Sequence, residues 1–236
     1  MLWIGTSGYD YPEWRGSFYP PEVAAAKRLP YYASQFATVE INYTFYHLPS
    51  ERTLAGWVAQ TPPGFRFTLK APKRITHVAR LRNCGEPMRT FCGLAGSLRE
   101  RLGAILFQLP PFLRKDLATL DEFLPTVPAG IRAAIEFRHE SWLDEEVFGR
   151  LRVHGVALCI ADSEKLRTPV LVTAPFAYFR LRDEGYTPDA LGQWADAIRE
   201  AGGQAGDVFV YFKHEEAGKG PEFARTVLRR LQQKAA

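Results

Sequence analysis

Cysteine is scarce in this 236-residue sequence, and its three cysteines, Cys84, Cys92 and Cys159, contain no Cys-x-x-Cys pair. An odd number at these spacings indicates neither a disulfide framework nor a cysteine zinc site. The sequence also lacks a His-Glu-x-x-His motif, a Gly-x-Gly-x-x-Gly fingerprint and a P-loop. It therefore carries none of the short motifs of zinc hydrolases, dinucleotide-binding enzymes or P-loop NTPases.

Long hydrophobic runs are absent as well. No apolar run approaches the about 18 residues that a membrane-spanning helix requires. The opening Met1-Leu2-Trp3-Ile4-Gly5 has the pattern of a strand and not of a basic, cleavable leader. We therefore expect a cytoplasmic protein with no membrane association.

The rest of the composition is that of an ordinary globular protein, with 46% hydrophobic and 24% charged residues. A chain of this length suits one domain with a sizeable core. Lys and Arg exceed Asp and Glu by 30 to 26, which gives a net charge of +4. That excess is compatible with a polyanionic partner but is too small to establish one, and the oligomeric state is left open.

Short β-rich runs alternate with longer segments of helical period, a pattern typical of a parallel sheet wrapped by helices. The predicted strands are residues 2–6, 38–42, 66–70, 104–108, 132–137, 156–161, 177–181 and 208–212. The predicted helices are residues 29–36, 50–60, 87–102, 116–124, 143–154, 188–201 and 221–232. Eight strands with crossovers predict an α/β fold, a single-domain TIM-type (β/α)8 barrel over residues 1–236. Open doubly wound sheets usually have fewer strands and a phosphate-binding fingerprint.

Two predicted loops stand out by their composition. Residues 7–28 are rich in glycine, proline and aromatic residues, so this segment either caps the barrel mouth or plugs the barrel end. Residues 71–85 follow the third strand and are basic, with Lys73, Arg74, Arg80 and Arg82.

In a barrel of this type, chemistry is expected at the C-terminal ends of the strands, where the βα loops converge. Most of the eight strands end in polar or charged residues, more than a solvated rim requires, because a buried charge is costly unless it is paired. The structural alternative is an ion-pair network at the mouth, such as Glu40 with Lys70 or Glu136 with Arg180. The polar residues at these ends are Thr6, Ser7, Glu40, Asn42, Lys70, Gln108, Glu136, Arg138, Asp162, Ser163, Arg180, Arg182, Lys213 and His214.

Three carboxylates lie at the ends of predicted strands two, five and six. They are Glu40, Glu136 and Asp162. If they converge across the mouth, they are candidates for general acid and base catalysis. Carboxylates are also hard oxygen ligands, so the same three residues are compatible with a divalent metal ion. The sequence does not decide between these roles.

A cationic set faces these carboxylates and suits a small anionic ligand with a phosphate or carboxylate group. Lys70 has two alternatives within it. Beside another cation its pKa would fall and it could act as a base, whereas beside Glu40 it would stay protonated and position the ligand. The set consists of Lys70, Arg138, Arg180, Arg182 and Lys213.

Two histidines are placed to reach the mouth, His77 after the third strand and His214 after the eighth. Each is either functional or a satisfied polar group of its loop. His154 ends a predicted helix, where a cation complements the helix dipole, so we interpret it as structural. A metal cluster of carboxylates and histidines is conceivable by fold analogy alone.

Further residues near the strand ends allow binding roles. Gln108 is a candidate hydrogen-bond donor to a ligand. The aromatic side chains after strands two and five, including Tyr46 and Trp142, would form stacking walls for a sugar or base, or else pack in the core. Ser7 lacks a Gly-x-Ser-x-Gly elbow, which argues against a nucleophilic serine.

A series of short motifs runs over nearly the whole chain. The motifs are Ile4-Gly5-Thr6-Ser7-Gly8-Tyr9, Thr38-Val39-Glu40-Ile41-Asn42-Tyr43-Thr44-Phe45-Tyr46, Phe65-Arg66-Phe67-Thr68-Leu69-Lys70, Ile75-Thr76-His77, Leu106-Phe107-Gln108-Leu109-Pro110-Pro111, Glu136-Phe137-Arg138, Ser141-Trp142, Asp162 and Tyr211-Phe212. Taken in this order, they resemble the domain-of-unknown-function 72 (YecE-like) family. The resemblance implies a TIM-type barrel with no agreed reaction, cofactor or substrate. Matching motif positions are occupied by Thr6, Glu40, Asn42, Lys70, His77, Gln108, Glu136, Arg138 and Asp162.

The sequence departs from the family pattern in two places. Where Tyr-x-Arg-x-His-Gly is usual, it has Tyr178-Phe179-Arg180-Leu181-Arg182-Asp183, and where an Asn pair is usual it has Lys213-His214. Both changes add positive charge at the expected mouth, so substrate choice or activity would differ from that of closer family members.

Three function hypotheses follow. The first is an enzyme that acts on a small anionic or sugar-like substrate at the barrel mouth by carboxylate acid/base or metal-assisted chemistry, of hydrolase, lyase or isomerase type. The second is a nucleic-acid binding protein or phosphodiesterase in which the basic loop follows the backbone and aromatic side chains stack on bases. The third is a non-catalytic ligand-binding barrel whose charged rim is structural.

Overall fold

Eight parallel strands form a nearly closed barrel in the computed structural model, which describes residues 1–163, 166–183 and 185–233. Neighbouring strands are hydrogen-bonded in the order β1-β8-β7-β6-β5-β4-β3-β2. This arrangement confirms the predicted α/β barrel. The strands are β1 (Leu2–Thr6), β2 (Thr38–Ile41), β3 (Arg66–Lys70), β4 (Leu102–Gln108), β5 (Ala133–Glu136), β6 (Ala157–Ala161), β7 (Phe176–Leu181) and β8 (Asp207–Phe212).

The helices surround the strands, and their starts follow from capping residues. Ser50, Asp116, Asp144 and Thr187 each accept a hydrogen bond from a backbone N–H of the first turn, as the usual N-cap residues do. The helices are α1 (Arg28–Gln35), α2 (Tyr43–Tyr46), α3 (Glu51–Ala59), α4 (Gly85–Gly96), α5 (Leu117–Phe123), α6 (Glu145–His154), α7 (Pro188–Gln204) and α8 (Lys219–Gln233).

Two segments differ from the sequence prediction. The helix expected over 87–102 ends at Gly96, because Arg99 adopts a φ of +50° and opens a 3-10 turn. Residue Leu102 then begins β4, two residues before the expected start. The basic loop over 71–85 contains a π-helical turn, Arg74–Val78, which brings His77 toward the barrel mouth.

A tyrosine joins the first two strands, which are neighbours around the barrel. The Tyr32 hydroxyl accepts from the Thr6 N–H at 2.8 Å and donates to the Thr38 carbonyl at 3.1 Å. Gly5 lies at this seam, where an added Cβ would come within 2.1 Å of the Thr38 oxygen. The β1–β2 contact therefore depends on a buried hydroxyl and on a residue without a side chain.

The long first loop is packed rather than detached. Its aromatic residues Trp14, Phe18 and Tyr19 are buried, and Phe18 contacts Tyr32 and Phe36 of the α1 region. This placement agrees with the plug alternative for residues 7–28. Among the described residues, no helix has the length and hydrophobicity needed to cross a membrane.

Candidate functional site

The side chain of Arg180 lies at the centre of the barrel mouth and is 1% exposed. Its Nε is 3.0 and 3.1 Å from the two carboxylate oxygens of Glu40, and Nη1 is 3.2 Å from Oε2 of Glu136. Its Nη2 donates to the Ser7 hydroxyl oxygen at 3.1 Å. Burial acts to lower the pKa of Arg180, but the two carboxylates outweigh it and raise that pKa. The guanidinium is thus a fixed internal cation that joins β2, β5 and β7.

Glu40 is enclosed by donors on all sides. The Tyr178 hydroxyl donates to Oε2 at 2.5 Å, and the Ser7 hydroxyl donates to Oε1. Burial and the Glu40 charge raise the pKa of Tyr178 well above its ordinary value, so the phenol keeps its proton for this bond. Asn42 Nδ2 donates to Ser7 Oγ at 2.9 Å. The Ser7 hydroxyl donates to Glu40 and accepts from Asn42 and Arg180, so its hydrogen-bonding capacity is fully used.

Glu136 is the second buried carboxylate, with 1% of its side chain exposed. Gln108 Nε2 donates to Oε2 at 2.8 Å. Oε1 lies 3.7 Å from Arg138 Nε and 3.5 Å from Arg182 Nη1. Burial alone would raise the pKa of Glu136, but Arg180 and Arg182 hold it below the ordinary value. Glu136 is therefore ionised and anchors three arginines.

Lys70 projects from the end of β3 with 8% of its side chain exposed. Its Nζ lies 4.3 Å from the centre of the Phe45 ring. Within residues 1–163, 166–183 and 185–233, no carboxylate lies within ion-pair distance of this nitrogen, and it makes no hydrogen bond. Burial lowers the pKa of Lys70 to about 8, helped by the Arg180 charge and opposed by Glu40 and Glu136. Both a cation and carboxylates therefore act on this lysine, as the two alternatives for it described, and burial makes the largest contribution to its lowered pKa.

His77 faces the same part of the mouth. Its Nδ1 is 2.9 Å from the Thr76 hydroxyl, and its ring packs edge-on against Phe45 at a centroid distance of 4.9 Å. Burial, and then the charges of Lys70 and Arg138, lower the pKa of His77. The imidazole is neutral at physiological pH and lies within electrostatic range of both cations.

Asp162 lies on the same side of the mouth as Glu136 but is held by different donors. Its Oδ1 accepts from the Arg182 backbone N–H at 2.7 Å, and its Oδ2 accepts from the Tyr186 hydroxyl. Both oxygens are engaged in holding the turn after β7. This carboxylate positions the backbone that carries the Arg182 side chain.

An open cleft lies between the ends of β5 and β6 and has a volume of about 220 Å³. Its charged lining residues are Glu136, Arg138, Glu140, Asp162 and Arg182. The arginine side chains are 29% and 23% exposed, so part of each is accessible at the cleft. The cleft thus combines planar cationic donors with carboxylates.

Of the predicted site residues, Glu136, Arg138, Asp162 and Arg182 line this cleft, whereas Lys70 and His77 do not. Trp142 is buried, stacks on Phe137 and donates its indole N–H to the Leu113 carbonyl at 2.8 Å, so it is a packing residue. Thr6 lies at the β1–β2 seam, where its hydroxyl donates to the Gly8 carbonyl at 2.6 Å.

Two basic residues after β8 and one aromatic residue complete the predicted set. Lys213 forms an ion pair with Glu215 at the rim. His214 is buried with its Nε2 at 2.6 Å from the Asp183 carbonyl. Tyr46 is 65% exposed on the outer rim, where Lys73 Nζ lies 5.7 Å from its ring centre.

The geometry of the acidic and histidine side chains also bears on the metal hypothesis. In the part of the chain that the structure describes, no three or more His, Cys, Asp or Glu side chains are grouped as a metal ion would require. Glu40 and Glu136 are instead occupied by guanidinium and hydroxyl donors. The described residues therefore do not form a carboxylate-held metal centre.

Sequence reasoning missed one member of this network, Tyr178, and it placed Ser7 at a strand end without assigning it a role. It also placed Arg180 among ligand-binding residues, whereas all three of its nitrogens are engaged inside the protein. The alternation of Tyr178 and Arg180 along β7, which puts both side chains on one face of the strand, was the available signal.

Comparison with known proteins places this site in a family context. A family model described as "Protein of unknown function DUF72" matches residues 3–236. The UPF0759 protein YunF of Bacillus subtilis (strain 168) is 25% identical over 274 residues, covering 98% of this chain and 95% of the relative.

Solved structures of DUF72 family proteins have a similar fold. A DUF72 family protein of Thermotoga maritima MSB8 has a TM-score of 0.86 and 28% identity, with 98% and 99% of the two chains covered. A DUF72 family protein of Enterococcus faecalis V583 has a TM-score of 0.83, 20% identity and coverages of 98% and 96%, which supports the fold. The expected family resemblance is confirmed, and the chain belongs to the DUF72 family of proteins of unknown function.

Proposed function

We propose that this protein is an enzyme that binds a small anionic substrate at the barrel mouth and uses Lys70 as its reacting group. The observation that carries the proposal is the buried Nζ of Lys70 at the end of β3, which forms no ion pair within the described residues although the charges of Arg180, Glu40 and Glu136 act on it. Reacting lysines need a pKa near the working pH, and burial beside cations provides it.

The charge balance at the mouth supports an anionic substrate. Three buried carboxylates, Glu40, Glu136 and Asp162, lie at the mouth with four cationic side chains. These cations are Lys70, Arg138, Arg180 and Arg182. An anion that binds at the mouth would offset the single excess positive charge and pair with the partly exposed guanidinium groups of Arg138 and Arg182.

The carboxylates have a different role from the one that the sequence suggests. Glu40 and Glu136 are saturated by hydrogen bonds and ion pairs, so neither offers a free oxygen as a general base. They hold Arg180 in place, and Arg180 in turn lowers the pKa of Lys70. This arrangement assigns acid and base work to Lys70, with His77 as a proton carrier to solvent.

Two measurements test the proposal. Isothermal titration calorimetry with oxalate and inorganic phosphate should detect binding that weakens by roughly tenfold or more in Arg182→Gln, because a charge-assisted pair is lost. Arg152→Gln, which changes an exposed arginine on α6, is the matched control and should bind like the wild type. If neither oxalate nor inorganic phosphate bound to the wild type, the proposal would be overturned.

The second measurement addresses the lysine. In NMR spectra of protein labelled with ¹³C-lysine, the Lys70 side-chain signals should titrate with a pKa of about 8. Lys70→Arg should remove these signals, which assigns them to Lys70. Titration of the Lys70 signals at the ordinary lysine pKa of 10.5 would remove Lys70 as the reacting group.

A second candidate function, nucleic-acid binding, is favoured by the rim formed after strands two to four. Exposed aromatic rings there lie beneath cations: Lys73 is 5.7 Å from the ring centre of Tyr46, and Arg80 is 5.1 Å from that of Phe112. Rings that stack on bases beside cations that contact phosphates suit a single strand. Fluorescence anisotropy with a labelled oligonucleotide should then show binding that weakens steeply with salt and with Phe112→Ala. Undetectable binding at low ionic strength would contradict this candidate.

A further inference from the structure

We propose that a cavity beside the first two strands is a binding site for a small organic cation of the methylated ammonium type. Among the described residues, none lines both this cavity and the cleft between β5 and β6. The site is therefore separate from the one that would bind an anion and does not depend on the proposed function.

Four aromatic side chains line the cavity, those of Tyr9, Tyr11, Tyr43 and Trp57. It has a volume of about 480 Å³ and lies between the loop after β1, the end of β2 and helix α3. The rings of Tyr43 and Trp57 are perpendicular, with their centres 6.3 Å apart, so they form a corner. Because the faces of aromatic rings are electronegative, such a wall attracts a cation.

The charged residues of the wall also favour a cation. Among the described residues that line the cavity, none is Lys or Arg, although the chain has a net charge of +4. Asp10 is the one charged residue among them. Its carboxylate pairs with Arg28, which offsets part of its charge, so the aromatic faces supply most of the attraction.

The two tyrosines after β1 lie in a negative electrostatic environment. Burial raises the pKa of Tyr9, and the charge of Asp10 raises it further. Burial also raises the pKa of Tyr11, as do the charges of Glu215 and Glu40, while Arg180 opposes them with a smaller effect. A field that disfavours a phenolate favours a cation at the same place.

The hydrogen-bonding groups of the wall are mostly engaged inside the protein. Asn42 Nδ2 donates to the Ser7 hydroxyl at 2.9 Å, and the Tyr11 hydroxyl donates to the Ser7 carbonyl at 2.7 Å. Because the Ser7 proton goes to Glu40, the amide of Asn42 is fixed in this orientation. Its Oδ1 is a buried acceptor that has no donor among the described residues.

This polar pattern selects between two ligand classes that pack on aromatic rings. A sugar also stacks on such rings, but its hydroxyl oxygens need donors, and the donors of Asn42 and Tyr11 are turned toward Ser7. A methylated ammonium group needs no donor from the protein. Its methyl groups pack on the rings, and its charge is attracted by their faces.

Choline and its neutral carbon analogue, 3,3-dimethyl-1-butanol, test the proposal, because the two molecules have nearly the same shape and differ in charge. NMR titration of the wild-type protein should show that choline binds roughly fivefold or more tightly than the alcohol, as a cation–aromatic interaction requires. The N-methyl proton signal of choline should also shift upfield on binding, because the protons lie over aromatic rings.

Two tyrosines of α2 provide matched variants. Tyr43 lines the cavity and Tyr46 does not, and their side chains are 49% and 65% exposed, so neither substitution empties the core. Tyr43→Ala should weaken choline binding roughly fivefold, whereas Tyr43→Phe, which keeps the ring, should stay within about twofold of the wild type. Tyr46→Ala should bind choline like the wild type.

The outcomes are distinct. Undetectable choline binding, or equal affinity for choline and 3,3-dimethyl-1-butanol, would overturn the proposal. Equal losses in Tyr43→Ala and Tyr46→Ala would place the cation outside this cavity, and tighter binding of methyl glucoside than of choline would assign the cavity to a sugar. Arg182→Gln should leave choline affinity unchanged, so a failure of the anion site would be seen separately.

Discussion

Arg180 and Glu40 are joined through a single guanidinium nitrogen, since Nε lies 3.0 Å from one carboxylate oxygen and 3.1 Å from the other. The two terminal nitrogens are thereby left for Glu136 and Ser7. One buried arginine thus pairs with two buried carboxylates from different strands. Removal of this cation would leave Glu40 buried without its counter-charge, and Glu136 with the longer contacts to Arg138 and Arg182.

Replacement of Arg180 by methionine should therefore destabilise the protein strongly. We expect the free energy of unfolding to fall by about 3 to 5 kcal/mol, as is usual when one partner of a buried pair is removed. Urea denaturation at pH 7, followed by circular dichroism, measures the change. Arg152→Met, at an exposed arginine paired with Glu145, should change the free energy by less than about 1 kcal/mol. Similar effects for the two variants would contradict the assigned role of Arg180.

Lys70→Met should make the protein more stable at neutral pH. The folded-state pKa is about 8 against an ordinary 10.5, so below pH 8 the folded state holds a proton at an energetic cost. That shift corresponds to about 3 kcal/mol, and we expect a gain of about 1 to 3 kcal/mol at pH 7 in the variant.

The pH dependence of this gain has a definite sign. Between pH 8 and 10.5 the unfolded chain still binds the proton that the folded protein has released, so the wild type gains stability as pH rises. The advantage of Lys70→Met should shrink across this window. Parallel urea titrations at pH 7, 9 and 10 measure it, and a constant difference would show that the pKa of Lys70 is not lowered.

Tyr186→Phe should lower the free energy of unfolding without changing the affinity for anions. The tyrosine hydroxyl donates to Asp162, which also accepts from the Arg182 backbone N–H. Loss of one buried hydrogen bond should cost about 1 to 2 kcal/mol of unfolding free energy. Oxalate affinity should stay the same if Asp162 is a positioning residue. A loss of binding with unchanged stability would instead place Asp162 in direct contact with the ligand.

Tyr32→Phe should destabilise the seam between β1 and β2. Its hydroxyl satisfies the Thr6 N–H and the Thr38 carbonyl, and both would be left buried without this partner. We expect a loss of about 1 to 3 kcal/mol, measured by urea denaturation. Tyr31→Phe, on the same helix and with its side chain only half-buried, is the matched control. Equal stability of Tyr32→Phe and the wild type would mean that the seam does not depend on this hydroxyl.

The barrel could be predicted because each buried strand has a recognisable pattern of residues in the local sequence. The segments that became β4 and β6 are short apolar runs buried throughout nearly their whole length, as parallel strands covered on both faces require. The helix boundary near Arg99 could not be predicted in the same way, since a positive φ at a non-glycine residue leaves no pattern in the sequence.

The site could be predicted in part. The polar residues at the ends of β2, β3, β5 and β7 were identified because the fold class places chemistry there. Trp142 was harder to place, because an aromatic residue near a strand end is equally suited to a ligand wall or to the core. Its position beneath the cleft, stacked on Phe137, is a matter of side-chain packing.

The sequence by itself determined the strand count, the direction of the strands and the side of the barrel on which charges gather, because hydrophobic period and chain order act locally. Only the tertiary structure decided which charges meet. Glu40 and Arg180 are 140 residues apart, and closure of the barrel brings them within 3.0 Å. Charge pairing and pKa depend on distance and on exclusion of water, and both are set by packing. For that reason the carboxylates became anchors and Lys70 was left without a partner among the described residues.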